Sequence, residues 1–187
     1  PSSAASDVYK RQGEIPPAND TSVGVGFAPF TPLEKTVYDI ERFLNSEKTK
    51  EKFPFIGEDV KVMGCRNNDD VTVTVAIAFV GQFIQSLEDY YDKKEKIRSL
   101  LERKFKMDGM HVFVNTLDKG DSIYLTVTGT SWEMGDDGQV GRGNRASGLI
   151  TPCRSMSLEA VAGKNPISHV GKIYNLKAQE IANRINE

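Results

Sequence analysis

Apolar and polar positions alternate along this chain with two different periods. In "TPLEKTVYDIERFLNS", Leu33, Val37, Ile40 and Leu44 recur at helical spacing. Thr31 stands as N-cap, Pro32 at the first helical position and Glu34 three residues past the cap, which is a capping box and predicts a helix over 32–45. "EDVKVMGC" and "VTVTVAIAFV" follow with period two, predicting strands over 58–64 and 71–80. In the second, Val73, Val75, Ile77 and Phe79 share one face. Thr72, Thr74, Ala76 and Ala78 share the other, small and flat enough to pack closely on another layer. "SLEDYYDKKEKIRSLLERKF" returns to helical spacing over 87–105, with Leu87, Tyr90, Ile97 and Leu101 on the core side.

"MHVFVNT" and "SIYLTVTG" read as two more strands, 111–115 and 122–129, paired across the polar turn "LDKGD". After a long loop, "SMSLEAVAG" is compatible with a short helix. "SHVGKIYNLKAQEIANRI" predicts a helix over 169–185, capped by Ser168, with Val170, Ile173, Ile181 and Ile185 on its apolar side. Strand pairs mixed with helices indicate an α+β class, with mostly antiparallel sheets and helices packed on one face. There is no internal repeat and no low-complexity run.

Composition narrows the function classes. The chain has 187 residues with 39% apolar and 27% charged positions, ordinary for a globular protein. A net charge of −2 supplies no global field for nucleic acid, so no nucleic-acid partner is expected. No apolar run reaches the length of a membrane span, so no membrane partner is expected either. Cys65 and Cys153 lack metal-like spacing and read as two unpaired thiols of a cytoplasmic protein. "PSSAASDVYKRQ" has no periodicity. Residues 1–6 look like a non-native leader and 7–12 are ambiguous, so the native region is expected to be 13–187. The helix at the C-terminal end carries no stop signal, and the chain is read as an interior piece of a longer protein.

The candidate chemistry is concentrated in "MGDDGQVGRGNR", residues 134–145. Gly135, Gly138, Gly141 and Gly143 are more than a hairpin turn needs, and they cost backbone entropy on folding. Asp136, Asp137, Arg142 and Arg145 stand among them. Glycines that let backbone N–H groups approach an anion, with guanidinium forks beside them, suit a phosphate site; a salt-bridged loop is the plainer alternative. Lys164, in "VAGKNP", adds a point charge after a glycine, but the segment is not a Walker A loop and also reads as a helix C-cap at Gly163 before a proline stop. "NDTSVGVGF" puts Asp20 before a G-x-G pair, which is also compatible with an ordinary loop. His111 reads as an exposed strand residue. His169 is either a ligand contact or filler near a helix start. No Ser–His–Asp or Cys–His arrangement and no metal-spaced cluster emerges.

"NDTSVGVGFAP", "GEDVKVMG", "YLTVTGTSWEMGDDGQVGRGNRASGLITP" and "SMSLEAVAGKNPISHVGKIYN" resemble the archaeal-type S-adenosylmethionine synthetases, or methionine adenosyltransferases, from about Glu14 onward. The resemblance implies that family's fold, here incomplete, because the family's N-terminal "GHPD" segment, with its catalytic histidine and metal-binding aspartate, and a further C-terminal segment do not occur in the sequence. It implies synthesis of S-adenosylmethionine from ATP and L-methionine with Mg²⁺ and K⁺, on a homodimer or larger homo-oligomer. It also implies that this piece by itself is inactive. By the same resemblance, Asp20 contacts methionine across a subunit boundary and Lys61 lies near the phosphates. Asp136 lies near nucleoside and methionine, while Arg142 and Lys164 bind the triphosphate and act in catalysis. Arg145 takes over the charge of a lysine that the bacterial branch has at position 143. After "GKNP" that branch has a metal-binding aspartate, where this sequence reads "ISHVGK" and His169 or Lys172 is the candidate to take part instead. The metal ligands are left unassigned, and Trp132 replaces a small residue without a functional reading. Two rival readings are a nucleotide-binding module without chemistry and an interaction domain whose glycine loop is a plain connection.

Overall fold

The computed structural model describes residues 22–130, 145–157, 161–167 and 169–187. The leader 1–12, Asp20, Trp132, Asp136, Asp137, Arg142, the Ser168 cap and the middle of the 155–163 segment therefore lie outside the described residues. The chain divides into two compact units, Thr31–Gly138 and a second made of Pro1–Phe30 with Gln139–Glu187.

In the first unit, helix α1 (Pro32–Leu44) starts as the capping box requires. The Glu34 amide donates to Thr31 Oγ1 at 3.2 Å, and the Thr31 amide donates to Glu34 Oε2 at 2.7 Å. Ser46 caps the short α2 (Glu47–Lys52) by accepting from the Thr49 amide, without the reciprocal bond. Strands β1 (Ile56–Asn67) and β2 (Asp70–Val80) form the expected antiparallel pair, longer than the sequence indicated, with Asn68 turning at positive φ of 55°. Ser86 caps α3 (Leu87–Lys104). Val71, Val73, Val75, Ile77 and Phe79 of β2 are buried and pack with Ile40, Leu44, Tyr90, Ile97 and Leu101 of the helices, so the core lies on one sheet face as predicted. Leu87 is the exception: at the first helical position it is 43% exposed and not part of the core.

The other strand pair differs from expectation. β3 (Met110–Val114) does not pair with the segment after the "LDKGD" turn. It runs parallel to β2, from Val71↔Met110 to Val75↔Val114. β4 (Leu125–Thr126) is also parallel to β2, further along it, at Phe79 and Val80. The sheet is therefore mixed, not mostly antiparallel. The cause is α3: a helix between two strands carries the chain back to the end at which β2 began, so the next strand must run in the same direction. Only the Lys119↔Ser122 bridge remains of the expected hairpin.

Asn115 fills the gap between β3 and β4. Its backbone leaves the strand at φ 44°. Its side chain then takes over the ladder: Oδ1 accepts from the Ile77 amide at 2.7 Å, and Nδ2 donates to the Ile77 carbonyl at 3.0 Å. Nδ2 also donates to the Tyr90 hydroxyl at 2.8 Å, and that hydroxyl donates to Asp118 at 2.9 Å. Lys94 closes the network on Asp118 and on the Asn115 carbonyl. Burial of the Tyr90 ring and hydroxyl, with the Asp118 carboxylate beside it, holds its pKa well above the ordinary tyrosine value.

Helix α4 (Val170–Asn186) belongs to the second unit. His169, not Ser168, is its N-cap, and it makes no side-chain capping bond. The expected apolar side is not the packed side: Ile173, Ile181 and Ile185 are 42%, 56% and 81% exposed, whereas Gly171 and Asn175 are buried. In the segment 155–163, the residues at 155–157 and 161–163 are not helical.

Candidate functional site

The reason for that reversed face is the extended segment Val23–Phe27. Asn175 and Gln179, one turn apart on α4, present their amides to it. The Val25 amide donates to Asn175 Oδ1 at 3.0 Å, and Asn175 Nδ2 donates to the Val23 carbonyl at 3.3 Å. Gln179 does the same to both backbone groups of Phe27, at 3.3 and 2.8 Å. The helix thus offers a polar comb to an extended backbone, as a neighbouring strand would. This explains the G-x-G pair. A Cβ on Gly24 would lie 2.2 Å from the Tyr174 carbonyl oxygen, and one on Gly26 would lie 2.4 Å from Ala178 backbone. These glycines are required for close approach of two backbones, not for positive φ. The segment that follows Asp20 is therefore held by α4, not a plain connection. Sequence reading passed over Asn175 and Gln179. The available signal was two amides four residues apart on a helix whose isoleucines face the other way.

Lys164 sits in a turn just ahead of α4, after Gly163 at φ 76°. The turn is tied down by its backbone. Lys172 Nζ donates to the Lys164 carbonyl at 2.9 Å. The Ile167 amide donates to Asn165 Oδ1 at 3.0 Å, and the His169 amide to the Asn165 carbonyl at 3.0 Å. Lys164, His169 and Lys172 are thus gathered at the positive end of the α4 dipole. No acidic residue stands in the first turn of that helix, where one usually offsets the dipole. Such an end favours an anion. His169 is half-buried and serves the helix with its backbone, at the position sequence reading left between ligand contact and filler. Arg145 belongs to the same unit and is half-buried; it lines a small polar cavity with Ser147, Ser155, Ser157 and Asn175.

Lys61 belongs to the other unit. It stands on β1 opposite Ala76, on the sheet face away from the core. Its ammonium reaches both oxygens of Asp59, at 2.6 and 2.5 Å, and the Tyr124 hydroxyl donates to the same carboxylate at 2.5 Å. Asp59 and Tyr124 were not singled out in the sequence. The i, i+2 spacing of Asp59 and Lys61 on one strand was the only local sign.

Among the described residues, no group of three His, Cys, Asp or Glu side chains is placed to hold a metal ion. No described helix is long and apolar enough to cross a membrane. Cys65 and Cys153 are free and exposed.

Comparison with known proteins places the chain in a family. The chain is 54% identical over 182 residues to the "Probable S-adenosylmethionine synthase" of Aquifex aeolicus, covering 95% of this chain and 46% of that protein. It is 53% identical to the S-adenosylmethionine synthase of Methanothermobacter thermautotrophicus, covering 97% and 47%, and 56% identical to that of Pyrococcus horikoshii, covering 95% and 45%. The chain spans about half the length of the curated relatives it matches. The sequence profile of S-adenosylmethionine synthetase (AdoMet synthetase) matches residues 1–187, and the chain belongs to that family.

Proposed function

We propose that the protein of which this chain is a part makes S-adenosylmethionine from ATP and L-methionine. The methionine sulfur attacks C5′ of the ribose, the C5′–O bond breaks and the triphosphate leaves with the electron pair. Water then splits the triphosphate into diphosphate and phosphate. A thioether sulfur has no proton to lose, so the first step needs no general base. Its demands are alignment and stabilisation of a highly charged leaving group. That is why a site with Arg, Lys and backbone donors, and without a triad, suits it.

The observation that carries this reading is the turn at Lys164. Lys164, His169 and Lys172 stand at or just ahead of the start of a helix whose first turn carries no acidic residue, with Lys172 tied to the Lys164 carbonyl, in a chain of this family. In this reading Lys164 and Arg142 hold the triphosphate and stabilise its departure. Arg145 and His169, in the same unit as Lys164, add further phosphate-suited groups, and Lys61 is a phosphate-suited cation of the other unit. Asp20 and Asp136 face methionine and nucleoside. Mg²⁺ and K⁺ belong to the proposed reaction, where divalent metal offsets phosphate charge. The described residues offer no ligand cluster for it, so neither ion is assigned to a residue here. The place of action is the cytoplasm.

Homodimerisation is proposed from the sheet. The face opposite the core carries half-buried Thr72, Thr74 and Ala76, flanked by Met63 at 62% and Phe113 at 46% exposure. A flat face of small residues with apolar flanks suits a second copy.

The test is product stoichiometry with full-length protein. One S-adenosylmethionine, one diphosphate and one phosphate are expected per ATP consumed. Nucleotide binding without any product would leave the rival reading of a binding module.

A further inference from the structure

We propose that Asp59 is a positioning residue for Lys61, tying that cation to the point at which the chain leaves the sheet toward the glycine-rich segment. This rests on the triphosphate reading above. The carboxylate of Asp59 receives Lys61 Nζ on both oxygens, at 2.6 and 2.5 Å, and the Tyr124 hydroxyl fixes Oδ2 from another direction at 2.5 Å. Its backbone amide donates to the Gly129 carbonyl at 3.0 Å. Gly129 in turn lies against Gly57 so closely that a Cβ on it would meet Gly57 Cα at 2.6 Å, and its amide is held by Thr126 Oγ1 at 2.9 Å. One residue therefore joins the start of β1, the end of the 125–129 segment and the Lys61 ammonium.

The stoichiometry of donors suits this role. An ammonium has three N–H groups. Two are directed to Asp59, which leaves one to meet a phosphate oxygen. The Lys61 side chain is 58% exposed, open to a ligand, whereas that of Asp59 is 16% exposed. With its lysine end open to solvent, the ion pair by itself contributes little to stability. A carboxylate present only as a charge would weaken binding of a polyanion. The role that fits is therefore geometric: the carboxylate holds the ammonium in place.

The test compares Asp59→Asn, Asp59→Glu, Lys61→Ala and the double variant Asp59→Asn/Lys61→Ala in full-length protein, with Arg142→Ala as reference. Asp59→Asn should lose kcat by roughly 10- to 100-fold, the scale of a misplaced group, without a rise in KM for ATP. Asp59→Glu should recover part of it. The double variant should be no slower than Lys61→Ala, because the two act as one unit. An Asp59→Asn enzyme with unchanged kcat and a lower KM for ATP overturns the inference, because the carboxylate then acts only as a repelling charge. So does a double variant whose losses multiply. If Asp59→Asn fails to fold, Tyr124→Phe replaces it: a partial kcat loss supports the clamp, and unchanged kcat overturns it. The reading on which the inference rests fails separately, by full activity in Arg142→Ala.

Discussion

Asn115 does more for the sheet than any residue singled out in the sequence. Its side-chain amide replaces a strand peptide opposite Ile77 and also reaches Tyr90. Asn115→Ala leaves both backbone groups of a buried strand residue without their partner and keeps a non-glycine residue at positive φ. A loss of about 2–4 kcal/mol follows, measurable by urea unfolding; a change under about 0.5 kcal/mol would contradict the role. Tyr90 makes a pH prediction. Burial raises its pKa in the folded chain, so the unfolded tyrosine ionises first, near pH 10. The stability it contributes is fully present below about pH 10 and is lost as pH rises from there toward the raised folded value. Tyr90→Phe should be less stable at neutral pH, and its melting temperature should fall less steeply above about pH 10 than that of the unaltered chain. Parallel slopes would show that the hydroxyl is not shielded. At this scale the sequence was legible where the signal is local. The Thr31–Glu34 box could be read because it spans four residues. Asn115 could not, because its partner Ile77 lies 38 positions away.

The two glycines of "VGVGF" define the contact between an extended segment and α4. At Gly26 a Cβ would collide with backbone at Ala178, which cannot rotate away as a side chain can. Gly26→Ala should therefore destabilise this unit by about 1–3 kcal/mol. Gly120→Ala should cost less. Nothing lies within 4 Å of its Cβ position, and only its φ of 62° is strained. Hydrogen exchange of the Val25 and Phe27 amides would register the difference, with faster exchange in Gly26→Ala alone; equal protection in both variants would contradict the comb. The types of the strongly periodic helices and strands were legible; the short helix Glu47–Lys52 was not. Two of the assignments that failed have a clear physical reason. The partner of β3 was sought in the next strand, although α3 had already fixed a parallel return. The buried side of α4 was inferred from its isoleucines, although the surface it meets is a backbone whose hydrogen bonds need amides.

The whole molecule is read as an enzyme whose substrates are met by charge and backbone. The open sheet face makes the assembly prediction: Phe113→Glu should convert a dimer to monomer in sedimentation and lower turnover with it. A fully active monomer would contradict the dimeric reading. The family was legible because long glycine- and arginine-containing motifs are specific, while the backbone contacts around Lys61 and Lys164 became visible only through folding. The central claim is that this chain carries cations for a departing triphosphate, and single-turnover S-adenosylmethionine formation tests it most directly. At saturating ATP and methionine, Arg142→Ala and Lys164→Ala should each lose roughly 10²–10³ in rate with little change in melting temperature. Near-unaltered rates in both variants would contradict the claim, and a large fall in melting temperature would point instead to a salt-bridged structural loop.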